Sequence, residues 1–236
     1  MFNEAAGAAR CVREIGQVLD GLPNRTALIV VDDGSSDGTA GQLDALRSER
    51  RSPDVVAHGT NLGYGAALRT GARRADQLGL DYVLFMDSDL TNSPRDIPAF
   101  AARMAEGVDV IKATRYSGGG SVRGVPWYRV AISAAGNAVA RACFRLPVHD
   151  CTNGFRAVRT TLLARMRLCE PAFAVIMEEL YWCRCLAESY AEVPVTLTNR
   201  TVGQRPTSFV YRPTVFWRYL KYPLRALVGL RPRGMR

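Results

Sequence analysis

The chain has 236 residues, 47% of them hydrophobic and 22% charged, which suits one α/β domain with a substantial core. It contains no run of about 18 apolar residues and opens on no secretory signal pattern, which excludes a membrane-spanning helix and gives no sign of export. The net charge of +9 sits in one place: no acid follows Glu192, whereas eight arginines and Lys221 do, which points to a polyanionic surface, nucleic acid or anionic lipid.

In chain order, residues 3–19 have the apolar spacing of an amphipathic helix, with Asn3 as its expected N-cap. Residues 27–31 form a buried strand that ends on Asp32-Asp33-Gly34-Ser35, and a helix is expected over 39–50. A second strand at 55–57 runs into Asn61-Leu62-Gly63-Tyr64-Gly65 and a helix to about residue 78. Five apolar residues at 82–86 then lead into Asp87-Ser88-Asp89. A run apolar on both faces suits a central parallel strand, and two acids at i and i+2 point to one side of it. Such a pair of hard oxygen donors can seat Mg²⁺ or Mn²⁺; the alternative is a surface turn whose acids end the strand. A helix from about residue 94 and a strand at 108–111 follow. Alternating strands and helices predict an α/β fold: a mostly parallel, Rossmann-like sheet sandwiched by helices, its ligand edge beyond the strands' carboxyl ends. All three polar turns lie on that edge.

Past a Gly-rich loop at 118–126, a long helix at 127–146 spaces Arg129, Ser133, Asn137 and Arg141 by four. That stripe is either a solvated face or a row facing a phosphate. After Asn153-Gly154-Phe155-Arg156, a helix at 176–186 and a strand at 191–195 complete one domain. The six cysteines contain no C-x-x-C pair and are expected to pack, reduced, inside the fold.

Taken together and in order, Val30-Val31-Asp32-Asp33-Gly34-Ser35, Asn61-Leu62-Gly63-Tyr64-Gly65-Ala66, Asp87-Ser88-Asp89, Arg115-Tyr116, Asn153-Gly154-Phe155-Arg156 and Arg200-Thr201-Val202-Gly203 resemble inverting family 2 glycosyltransferases of the GT-A fold. The resemblance is greatest to the dolichol- or polyprenyl-phosphate mannosyl- or glucosyltransferase branch. It implies a glycosyltransferase domain over residues 1–208, with 209–236 as a membrane-interface extension. It implies Asn3, Glu4, Asp32, Asp33, Gly34, Asn61 and Gly63 near the nucleotide, and Asp87 and Asp89 on the metal. Thr91 stands where relatives often carry a glutamine on the metal's side. Arg115, Arg129, Ser133 and Arg200 match positions that bind donor or acceptor phosphate. Relatives open with a strand before the Asn-Glu pair, so a first strand is expected to be missing from this chain.

The chemistry is consistent with that set. Transfer from a GDP- or UDP-linked sugar needs a stabilised diphosphate leaving group; a lipid-phosphate nucleophile is already an anion and needs orienting arginines more than a base. A saccharide hydroxyl would need a carboxylate base, and Asp150 is the candidate, its other reading being a turn cap. An inactive nucleotide-sugar-binding protein is a further reading. A NAD-binding fold is disfavoured because Gly63-Tyr64-Gly65 lacks the third glycine of that fingerprint. In the tail, aromatics alternate with cations as in a helix lying in a membrane interface, the alternative being a helix packed on the domain. No nucleic-acid module accompanies it. The expected partners are thus a nucleotide-sugar, a lipid phosphate and an anionic membrane surface, with the protein peripheral on the cytoplasmic face.

Overall fold

The computed structural model describes residues 1–49, 51–199, 213–232, 234 and 235. Helix α1 (Ala8–Asp20) buries Ala8, Cys11, Val12 and Leu19, one stripe at helical spacing, against the sheet. It starts later than the sequence pattern suggests. Asn3 is not its N-cap: that residue has a left-handed backbone (φ 54°), and its Oδ1 accepts a hydrogen bond from the Ser36 amide at 2.8 Å. The side chain thus ties two loops together, and α1 begins after Gly7 with no side-chain cap.

The chain continues through β1 (Ile29–Asp32), α2 (Thr39–Ala45), β2 (Asp54–Ala57), α3 (Tyr64–Gln77), β3 (Tyr82–Phe85), α4 (Ile97–Ala105) and β4 (Val110–Thr114). It then forms β5 (Ser121–Val122), α5 (Trp127–Phe144), β6 (Arg156–Arg159), α6 (Thr160–Arg165), α7 (Val175–Leu186), β7 (Tyr190–Pro194), β8 (Thr196–Leu197) and α8 (Pro213–Leu227). The main sheet has the order β3-β6-β4-β7. Its central strand β4 is buried at every residue, pairing parallel with β7 and antiparallel with β6. The reversed strand β6 has charged ends that its sequence pattern does not mark as a strand. It is stable inside the sheet because Arg156 forms a fully buried ion pair with Glu179 of α7, Nε to Oε1 at 2.5 Å and Nη2 to Oε2 at 2.7 Å.

β1 and β2 form a separate parallel pair, Ile29 opposite Asp54 through Asp32 opposite Ala57. Among the described residues no strand joins β1 to β3; both line one cavity. Where the sequence predicts a missing strand, Met1 takes up the free edge of β1: its amino group donates to the Val31 carbonyl at 2.5 Å, and the Asp33 amide donates to the Met1 carbonyl at 2.8 Å. Helix α8, from the expected extension 209–236, buries Tyr222 and Ala226 in the same core as Val175, Leu180 and Tyr181. One of its faces therefore belongs to the domain.

Candidate active site

The carboxyl end of β1 supplies two acids with different work. Asp32 Oδ1 accepts from the Ser35 amide (3.1 Å) and hydroxyl (2.5 Å), closing its own turn. Asp33 reaches across to the next rim turn, accepting from the Leu62 amide on Oδ1 (3.0 Å) and from the Gly63 amide on Oδ2 (2.9 Å). His58 Nδ1 lies 2.7 Å from Asp33 Oδ1, and its Nε2 lies 3.0 Å from the Thr70 hydroxyl. A buried carboxylate satisfied by several donors is a rigid strut, so Asp33 sets the position of the Asn61–Gly63 turn. Glycine is required at Gly34 (φ 72°) and Gly63 (φ 95°): a Cβ would lie 2.3 Å from the Thr60 carbonyl carbon and 2.4 Å from the Pro171 carbonyl oxygen, respectively.

At the end of β3, the Tyr64 hydroxyl donates to Asp87 Oδ1 at 3.1 Å. Asp89 is buried, and its Oδ1 accepts from the amide (3.0 Å) and hydroxyl (2.8 Å) of Thr91. Thr91 thus bears on Asp89 through its own hydroxyl. Beneath the acids, Arg156 donates to the Gly154 carbonyl at 2.7 Å, and its guanidinium lies 4.5 Å from the centre of the Phe85 ring.

The opposite wall comes from α5 and the residues after β4. Arg115 grips Asp150 with Nε (2.6 Å) and Nη2 (2.8 Å), and Nη2 also reaches the Thr152 hydroxyl at 2.8 Å. Burial by itself would raise the Asp150 carboxyl, but the hydrogen bonds and charge of Arg115 outweigh it and hold the group below the usual carboxylate range. Asp150 also accepts from the Asn153 amide at 3.1 Å, so it caps the turn and clamps Arg115 at once. The Ser133 hydroxyl accepts from Tyr116 at 2.9 Å. The polar stripe of α5 splits by depth. Arg129 and Ser133 face the cavity, Asn137 is a buried bolt whose Oδ1 accepts from the Cys151 (2.7 Å) and Thr152 (3.1 Å) amides, and Arg141 is exposed.

These walls enclose a cavity of about 1380 Å³ that runs from the space between β1 and β3 up to the rim. Glu4, Asp33, Asn61, Gly63, Asp87, Asp89, Thr91, Arg115, Arg129 and Ser133, all marked by the sequence, line it. Asn3, Asp32 and Gly34 do not; they build the turn behind the rim. Arg200 lies outside the described residues. The sequence reading missed the contribution of α8, whose Phe216, Tyr219, Leu220 and Pro223 close the cavity, and of Phe173, which lies against Tyr64 with ring centres 4.6 Å apart. Tyr64 itself was signalled only by its place between two glycines of the motif.

Among the described residues, no three His, Cys, Asp or Glu side chains gather as a self-sufficient metal centre. The Asp87/Asp89 pair fits a hard divalent cation that takes its remaining ligands from a diphosphate and water, since Mg²⁺ is commonly held by one or two carboxylates and the substrate's phosphates. No described helix is long and apolar enough to cross a membrane.

Comparison with known proteins identifies the family. Residues 1–167 match the family model described as Glycosyl transferase family 2. The chain is 31% identical over 194 residues to the polyprenol monophosphomannose synthase of Mycolicibacterium smegmatis, covering 80% of this chain and 72% of that protein. It is 30% identical over 200 residues to the undecaprenyl-phosphate mannosyltransferase of Micrococcus luteus, covering 82% and 80%. Its fold overlays on a Mycobacterium tuberculosis glucosyl-3-phosphoglycerate synthase solved with Mn²⁺, UDP and phosphoglyceric acid, with a TM-score of 0.66 at 24% identity, covering 99% of this chain and 78% of that one. With the rim turns, the acid pair and the sheet as described, the chain is a glycosyltransferase and belongs to glycosyl transferase family 2.

Proposed function

We propose that this protein transfers a hexosyl group, with inversion, from a GDP- or UDP-linked sugar to a polyprenyl phosphate at the cytoplasmic membrane surface. The names of the two mannosyl-transferring relatives support mannose as the sugar to test first. The observation that carries the reading is the character of the acceptor wall. It presents Arg115, Arg129 and Ser133, while its buried carboxylate, Asp150, is held ionised in a two-pronged pair with Arg115. A group held that way is a poor proton acceptor, so the wall suits a nucleophile that arrives as an anion.

In this mechanism a phosphate oxygen of the acceptor forms the new bond to the anomeric carbon as the bond from that carbon to the nucleoside diphosphate breaks. Inversion follows from attack opposite the leaving group. Arg129 and Ser133, the latter fixed by Tyr116, orient the acceptor phosphate, and Arg115 is preorganised by Asp150 so that no reorganisation is needed during transfer. Asp87 and Asp89 would hold Mg²⁺ or Mn²⁺, which when bound offsets the charge on the leaving diphosphate. Glu4, Asn61 and Gly63 border the nucleotide's side of the cavity.

A lipid acceptor also explains the outer surface. Helices α5 and α8 pack together and carry solvent-facing apolar side chains, including Trp127 (81% exposed) and Trp217 (64% exposed), with Ile132, Leu224 and Leu227. Arg218, Lys221 and Arg225 lie on the same α8 helix. Aromatics and cations on an amphipathic pair suit the headgroup layer, next to a cavity the same two helices help to form. The test is to incubate the protein with undecaprenyl phosphate and labelled GDP-mannose or UDP-glucose, with Mn²⁺ or EDTA. Label entering the organic phase only with Mn²⁺ supports the reading; label found only in water-soluble product overturns it.

A further inference from the structure

We propose that Tyr64 is a positioning residue for Asp87: its hydroxyl, delivered by the first turn of α3, fixes the rotation of that carboxylate toward the donor diphosphate and its cation. This rests on the metal-seat reading above. The hydrogen bond to Asp87 Oδ1 is 3.1 Å long, and the phenol has little freedom to make any other. Its ring lies against Phe173, and the turn that carries it is wedged against the 170–171 backbone, where the Gly65 amide donates to the Pro171 carbonyl at 2.8 Å. A Cβ at Gly65 would lie 2.0 Å from the Glu170 carbonyl oxygen, so the first turn of α3 cannot shift in that direction.

Gly154 borders both groups. A Cβ there would stand 3.0 Å from the Tyr64 hydroxyl oxygen and 3.2 Å from Asp87 Oδ2, both tighter than ordinary contact. A glycine at this position thus leaves room for the tyrosine and the carboxylate to meet. A carboxylate with one oxygen held by a fixed donor loses rotational freedom, and outer-layer groups of this kind typically govern metal affinity about tenfold or more.

The test is calorimetric titration of the full chain with Mn²⁺ in the presence of GDP or UDP, on wild type, Tyr64→Phe, Gly154→Ala and Asp89→Asn, with thermal unfolding recorded for each. Tyr64→Phe keeps the ring and its packing. The expected result is an Mn²⁺ Kd raised about tenfold in Tyr64→Phe and in Gly154→Ala. In transfer assays the Mn²⁺ requirement of Tyr64→Phe should rise while kcat at saturating Mn²⁺ recovers most of its value. If Asp89→Asn abolishes Mn²⁺ binding but Tyr64→Phe leaves the Kd unchanged, the seat stands and Tyr64 is only a packed core residue. If the wild type binds no Mn²⁺ with either nucleotide, the seat itself is wrong and the proposal fails with it.

Discussion

At the residue scale, the site rests on buried charges whose value depends on their partners. Arg156 and Glu179 are both fully buried and matched tooth to tooth, so removing one strands the other in a low-dielectric interior. Arg156→Met should cost about 3–5 kcal/mol in urea unfolding, and Glu179→Leu added to it should recover a large part of that loss. Losses that simply add, with the double variant as costly as Arg156→Met and Glu179→Leu together, would show that the pair is not energetically coupled. Lys112 on β4 is a second case, with its Nζ donating to the Asn153 carbonyl at 2.6 Å. Burial first, then the charge of Arg156, lowers its pKa from 10.5 to about 8. A base depressed on folding carries a penalty that is full below about pH 8 and vanishes as pH rises toward the unfolded value. The stability of Lys112→Met relative to wild type should therefore be most favourable at pH 8 and below, and decline between pH 8 and 10.5. A flat difference across that range would contradict the assignment. The place of Asp87 and Asp89 on the cavity was legible because the apolar strand β3 leads directly into them. Tyr64 and Asn137 were not, because their work is defined by groups that arrive from distant parts of the chain.

At the scale of elements, the two helices α5 and α8 look alike in sequence to any amphipathic surface helix, and their pairing gives them a joint role. Each has one face in the domain: Asn137, Ala140 and Phe144 on α5, Tyr222 and Ala226 on α8. Each also leaves a tryptophan in solvent near its start. Trp127→Ala together with Trp217→Ala should weaken binding to vesicles containing anionic lipid by about tenfold or more, since each indole contributes on the order of 1–2 kcal/mol when buried. Co-sedimentation measures it, and thermal unfolding should be nearly unchanged because neither ring is in the core. Undiminished binding would move the membrane contact elsewhere. The strand β6 shows the opposite limit of pattern reading. Arg-Ala-Val-Arg has no apolar alternation, and it becomes a buried strand only because α7 brings Glu179 to meet Arg156.

At the scale of the whole molecule, the β sheet is divided. The four-stranded part holds the core, whereas β1 and β2 form a two-stranded piece that lies across the cavity from β3 and leans on α1 and α3. Two strands alone are marginal in water, so this piece depends on those helices. Amides of β1 and β2 should exchange with deuterium faster than those of β4 and β6, read by mass spectrometry, and nucleotide with Mn²⁺ should slow the exchange around Asp33, Leu62 and Gly63. Equal protection across both parts would mean that the division does not limit stability.

The amino-acid sequence by itself determined the alternation of strands and helices, the rim on which the three polar turns meet, and the acid pair at the end of β3. Those follow from short-range rules: apolar runs bury, glycines allow tight turns, and polar residues directly after a buried strand are delivered to its carboxyl edge; the acids themselves lie past the end of β3, Asp89 in a turn, so strand periodicity does not set how they face. Tertiary structure alone decided the rest. It committed Asp33 to the Asn61–Gly63 turn, tied Asp150 to Arg115, placed Tyr64 on Asp87, and drew α8 into the cavity wall. The reason is physical: a hydrogen bond or ion pair between residues tens of positions apart leaves no periodic trace, and burial turns it from a weak surface contact into one the fold must satisfy.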